Sequence, residues 1–114
     1  MVEIKKHSNY YIATIMIAEA NMEQADIFKM ELIREMESGK KQILISFEKV
    51  QYIDSSFLGA LVAALKYALA NEGDLAVYGL NENILNLFEM IRMDKVFKVF
   101  KVLPASYIEG WVAG

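Results

Sequence analysis

Ile43-Leu44-Ile45-Ser46-Phe47, followed after a short connection by Asp54-Ser55-Ser56 and then by a helix-patterned run to Ala70, is the stretch that decides the fold. Its first five residues are nearly all apolar, the composition of a strand buried on both faces inside a parallel sheet. Asp and Ser commonly open helices, because their side-chain oxygens accept otherwise unpaired N–H groups. The run from about Ser56 to Ala70 places Leu58, Leu61, Val62, Leu65 and Leu69 on one stripe, expected to face the sheet. Its outward face is expected to hold Gly59, Ala60, Ala63, Ala64, Lys66 and Tyr67. Strand, connection and helix in this order make half of a β-α-β unit.

Working outward, the same alternation recurs. Residues 2–7 place Val2, Ile4 and Lys6 on one side and Glu3, Lys5 and His7 on the other, as in an edge strand with one wet face. Ser8-Asn9 is a turn, and Tyr10 to Ile17 is a second strand, so the chain opens with a hairpin. Asn21 is placed to cap a helix, with Gln24 as its capping-box partner. Ala25, Phe28, Leu32 and Met36 form that helix's core stripe, and Ser38-Gly39 ends it. Leu75 to Tyr78 reads as another buried strand. Asn81 or its neighbour opens a third helix with Ile84, Leu87, Phe88 and Ile91 inward. Val96 to Val102 is extended, and Pro104 suits the first turn of a short terminal helix anchored by Tyr107, Ile108 and Trp111. The predicted fold is a single α/β domain over residues 1–114. Its mixed sheet has a parallel core and an N-terminal antiparallel hairpin, packed with helices.

Composition narrows the function. The chain has 114 residues, 55% of them apolar, which is enough to build one core. A net charge of -3 without basic clusters argues against a nucleic-acid surface. Cysteine is absent, which excludes thiolate chemistry. The charged start, Met1 to Lys6, does not read as a signal peptide, and the longest apolar run, Phe57 to Leu65, is too short for a membrane span. A cytoplasmic protein is expected. No dinucleotide or phosphate-loop glycine pattern occurs, and Ile53-Asp54-Ser55-Ser56-Phe57 is not a nucleophile elbow. The single histidine, His7, reads as a surface residue of the edge strand. No cluster of metal ligands stands out, so neither a catalytic residue nor a cofactor is expected. Seven methionines and a smooth second helix fit a monomer or a weak dimer.

Asp54-Ser55-Ser56 lies where a buried strand gives way to a helix, at the sheet edge where open α/β folds place their sites. A phosphate on Ser55 would meet a helix N-terminus, which accommodates anions, and would add about -1.5 to -2 charges beside Asp54. The same residues in the same order also make an ordinary helix cap with no other role.

Val50-Gln51-Tyr52-Ile53-Asp54-Ser55-Ser56-Phe57-Leu58-Gly59-Ala60-Leu61 resembles the hydrophobic-Asp-Ser-Ser/Thr-Gly-Leu-Gly motif of STAS domains, and among them the bacterial anti-sigma factor antagonists. Asn83 to Phe97 is similar to the family's third helix and the turn after it. The resemblance implies a non-enzymatic regulator of sigma-factor-dependent transcription. Unphosphorylated, it would bind an anti-sigma factor that is also a serine kinase, and phosphorylation of Ser55 would release it. A serine phosphatase would reset the switch, and ATP would belong to the partner. The implied partner-binding residues are Asp54, Ser56, Phe57, Gly59 and Ala60. Two departures stand out. Phe57 replaces the usual glycine and is expected to be partly exposed beside Ser55. Ala18-Glu19-Ala20-Asn21 replaces the usual Gly-x-Leu-Asp-like stretch. Phe57 motivates the alternative of a STAS-like scaffold or transporter-associated domain without a phosphorylation cycle. A receiver domain phosphorylated on Asp54 is a third reading, with Glu19 as its only early acidic helper.

Overall fold

The computed structural model describes residues 1–107 and Trp111. Strands β1 (Val2–His7), β2 (Tyr10–Ile15), β4 (Gln42–Ser46), β6 (Asp74–Tyr78) and β7 (Lys98–Phe100) form one sheet in the order β1-β2-β4-β6-β7. β1 and β2 are antiparallel and every other neighbouring pair is parallel, which is the predicted mixed sheet. The hairpin turn is Ser8-Asn9, with Ser8 left-handed at φ 58°. Helices α1 (Met22–Glu37), α2 (Ser55–Ala70) and α3 (Glu82–Met90) complete the fold, with a short 3-10 turn at Met93–Lys95. Two residue pairs, β3 (Glu19–Ala20) and β5 (Tyr52–Ile53), make a separate parallel ribbon where only connections were expected.

Pleating splits the sheet residues between two faces. Ala13, Ile45, Val77 and Val99 lie in one cross-sheet row and join the core beneath the helices. Tyr10, Leu44 and Ala76 point the other way, into a smaller apolar cluster closed by Trp111. Tyr107 and Tyr10 both meet Trp111 edge-on at 5.0 Å between ring centroids. The Tyr10 hydroxyl donates to the Pro104 carbonyl at 2.5 Å, and burial raises its pKa above the ordinary phenol value. The Asn9 side chain brackets Tyr107, accepting its N–H at 2.6 Å and donating to its carbonyl at 3.0 Å. Tyr107 and Trp111 therefore anchor this segment as expected. However, no helix forms from 101 to 107, where the chain follows an irregular, bent path held by the side-chain bonds of Asn9 and Tyr10 instead. Ile108 lies outside the described residues.

Other expectations are corrected by packing. Leu69 and Ile91 were placed inward but are 48% and 46% exposed. Ile91 is already the residue after α3, where the helical stripe no longer applies. In α2 the buried arc runs from Leu58 and Leu65 through Leu61 and Ala68 to Ala64 and Ala60. At about 100° per residue this arc is roughly 160° wide and is centred away from the leucine stripe. The cause is that α2 packs against α1 as well as the sheet, so Ala60 and Ala64, expected to face outward, are buried. In α1, Asn21 does cap the helix by accepting the Glu23 N–H at 2.9 Å. The reciprocal bond of a capping box is not made, and the Gln24 Oε1 is buried without a partner.

Candidate functional site

The loops after β2, β4 and β6 meet at one end of the sheet, the end where the parallel strands finish. They are sewn together through backbone. The Ala18 carbonyl accepts the N–H groups of Gln51 and Tyr52 at 2.8 and 3.1 Å, and the Ala20 carbonyl accepts that of Asp54 at 3.0 Å. The Asn81 side chain caps α3 by accepting the Ile84 N–H at 2.8 Å, and it also donates to the Gln51 carbonyl at 3.2 Å. The platform carrying Asp54-Ser55-Ser56 is thus tied to both neighbouring loops.

Asp54 is the N-cap of α2 and is half-buried. Its Oδ1 accepts the Phe57 N–H at 2.9 Å, and its Oδ2 accepts the Met22 N–H of α1 at 2.8 Å. Both carboxylate oxygens are therefore engaged by helix N–H groups. Among the described residues no group of three or more His, Cys, Asp or Glu side chains could hold a metal ion. The receiver reading needs a free aspartate beside a metal-binding cluster, and neither is present in this platform.

Ser55, the first residue of α2, and Ser56 are both exposed. Gly59 is exposed one turn along, with nothing within 4 Å of the position a Cβ would take. The expectation for Phe57 is overturned. It is fully buried and packs on Phe28 of α1, ring centroids 4.5 Å apart and tilted by 30°. Residue 57 sits on the side of α2 that faces α1, so a bulky group there fills the core and does not project beside Ser55. Ala60 is likewise buried, beneath the surface that Gly59 presents. Of the predicted site residues, Asp54, Ser55, Ser56 and Gly59 share the open side, while Phe57 and Ala60 support it from within.

Two exposed apolar residues at this site were not singled out from the sequence. Met22 is 70% exposed at the start of α1, and Tyr52 is 56% exposed in β5. An aromatic residue two positions before the Asp cap was the available signal for Tyr52. Between α1 and α2 runs an open groove of about 330 Å³ that includes Met22, Asp26, Ser56 and Gly59 among its lining.

Comparison with known proteins points one way. A family model described as the STAS domain matches residues 3–105. An anti-sigma-B factor antagonist of Staphylococcus aureus is 35% identical over 54 residues, 47% of this chain and 50% of that protein. The chain thus spans about half the length of these curated relatives in the matched region. An anti-sigma-B factor antagonist of Listeria monocytogenes is 26% identical over 103 residues, 89% of each chain. Among solved structures, the Bacillus cell fate determinant SpoIIAA in its phosphorylated form aligns with a TM-score of 0.66 and 12% identity. That alignment covers 89% of this chain and 92% of that one, and at this identity the likeness is one of fold.

Proposed function

From the premise that the chain belongs to the STAS domain family, we propose that it is an anti-sigma factor antagonist switched by phosphorylation of Ser55. With Ser55 unmodified it binds an anti-sigma factor that carries serine kinase activity, and so frees a sigma factor for transcription. The kinase transfers the terminal phosphoryl group of its own ATP to the Ser55 Oγ, and ADP leaves with the partner. A serine phosphatase hydrolyses the ester and restores the hydroxyl. The chain itself contributes no catalytic residue and no cofactor, and it works in the cytoplasm as a monomer or weak dimer without contacting nucleic acid.

The observation that carries this reading is the placement of Ser55, exposed at the first position of α2 on a platform whose backbone is fixed on both sides. The helix N-terminus tolerates the added anion, so the fold survives modification. A partner surface fitted to a hydroxyl meets two added charges beside Asp54. The relatives named anti-sigma-B factor antagonists support the same reading. The scaffold alternative rested on an exposed Phe57, and its burial removes that ground. Asp54, Ser56 and Gly59 are assigned to the partner-facing surface, with Phe57 and Ala60 setting its shape from beneath.

Intact-mass spectrometry of the protein co-expressed with its candidate kinases tests the proposal. One phosphate on the native protein and none on Ser55→Ala is the expected pair of results. A folded protein left unmodified by every cognate kinase would refute it.

Gly59 offers an independent check. Glycine within a helix costs roughly 0.5–1 kcal/mol relative to alanine, and the space at Gly59 is open. Gly59→Ala should therefore raise the unfolding free energy by about that amount in urea titration. If a partner backbone approaches closely here, the same change should weaken its binding about tenfold. Improved stability with undiminished binding would remove Gly59 from the interface.

A further inference from the structure

Strand β7 ends the sheet on one side and pairs only with β6. In a strand the N–H and C=O groups of alternate residues point to opposite edges, so part of the β7 backbone is turned away from β6. Among the described residues no other segment bonds to the backbone of Lys98, Val99 or Phe100. A free edge of this kind is a template for a further strand. Its two sides differ. Val99 belongs to the core beneath the helices, so pleating puts Lys98 and Phe100 on the opposite face. On the helix side, open grooves of about 230 and 310 Å³ flank the strand, and both include Leu85, Val99 and Lys101 in their lining. Glu82 lines the first groove, and Glu89 and Asp94 line the second, so these grooves suit an apolar side chain better than an acidic one. On the opposite face Lys98 is exposed, its ammonium 5.8 Å from the centre of the Phe100 ring, and among the described residues no carboxylate pairs with it. At the other edge of the sheet, Lys5 of β1 is already paired with Glu3 at 3.4 Å.

We propose that the free edge of β7 is a docking site for an extended peptide segment of another protein, which adds to the sheet as a further strand with apolar side chains toward α3 and acidic ones toward Lys98. Main-chain hydrogen bonds supply the attraction, and the alternating side chains supply the selectivity. A second copy of this chain fits the edge less well. Pairing β7 with itself about Val99 makes the two Lys98 side chains diagonal neighbours on one face, roughly 7–8 Å apart, where like charges repel. Lysine on an edge strand is a common guard against such self-pairing, and it leaves the edge open to a strand of opposite charge. β7 is only three residues long, so the contact is small and transient. The proposal is independent of the role given to Ser55.

Amide NMR spectra of the full chain test this during titration with a capped peptide of alternating valine and glutamate. Two control peptides carry lysine in place of glutamate, or proline in place of the central valine. The acidic peptide is expected to shift the amides of Lys98 to Lys101 and to bind about tenfold more tightly than either control. Lys98→Glu should weaken it about tenfold and favour the lysine peptide, with the rest of the spectrum unchanged because Lys98 is exposed. No shift at residues 97–101 with millimolar acidic peptide overturns the site. Equal binding of the acidic and lysine peptides overturns the charge match, and equal binding of the proline peptide overturns strand addition. Shifts at these amides that depend on protein concentration without peptide would assign the edge to a second copy and overturn the proposal.

Discussion

Phe57→Ala is expected to lower the unfolding free energy by about 3–5 kcal/mol, the usual cost of emptying a buried phenylalanine site. Phe57 is fully buried, and its ring lies against Phe28 at 4.5 Å between centroids, so truncation removes an aromatic contact as well as volume. Domains of this size have roughly 5–15 kcal/mol in hand, so the variant should unfold at a far lower urea midpoint, or be partly unfolded in water. Phe57→Gly should be worse by about 1 kcal/mol, since glycine also weakens the helix. Phe57→Leu should cost much less. A loss below about 1 kcal/mol for Phe57→Ala would mean that the two helices close over the gap and that the pair does not set their spacing.

If the proposed partner is a serine-kinase anti-sigma factor, Ser55→Asp and Ser55→Glu are expected to weaken its binding about 100-fold, or about 2.7 kcal/mol, while Ser55→Ala stays within about threefold of the parent. The physical reason is the added charge beside Asp54 on a surface that otherwise presents uncharged groups, Ser56 and Gly59 with Met22 and Tyr52 beside them. The fold should respond in the opposite direction. A carboxylate in the first turn interacts favourably with the helix dipole, by about 0.3–1 kcal/mol, and α2 has no acidic residue in that turn. Weaker binding by a protein that is equally or more stable separates a surface effect from damage to the fold. Isothermal titration alongside urea melts measures both, and equal binding by all four proteins would sink the switch.

The interior strands were legible because burial on both faces leaves an apolar run, as in Ile43 to Phe47, and the edge strand β1 because its residues alternate. The β3–β5 ribbon was not. It is two residues long on each side, and Glu19 and Tyr52 are exposed, so neither length nor polarity marks it. The face of α2 is not legible from its leucines, because the buried arc includes Ala60, Ala64 and Ala68 as well. Ala60 and Ala64 are small because α1 lies close, which makes them as much a part of the core as Leu61. Phe57 lies within the same buried arc, so its side of the helix and not its sequence neighbour Ser56 decides its burial. The motif at Asp54-Ser55-Ser56 was readable as a helix start with a candidate modification site. The second bond of Asp54 was not, because Met22 reaches it only after the chain has folded back.

The ribbon under the site also bears on the order of events as the chain matures. Glu19 pairs with Tyr52 across the stretch of chain that forms α1 and β4, so this contact closes a long loop. Closures of this kind are entropically costly and tend to come late. The serine is therefore present in the polypeptide well before the surface that displays it. An enzyme that recognises that surface, and not the bare sequence, would distinguish finished molecules from newly made ones, so the signalling state would be written only onto protein that has completed folding.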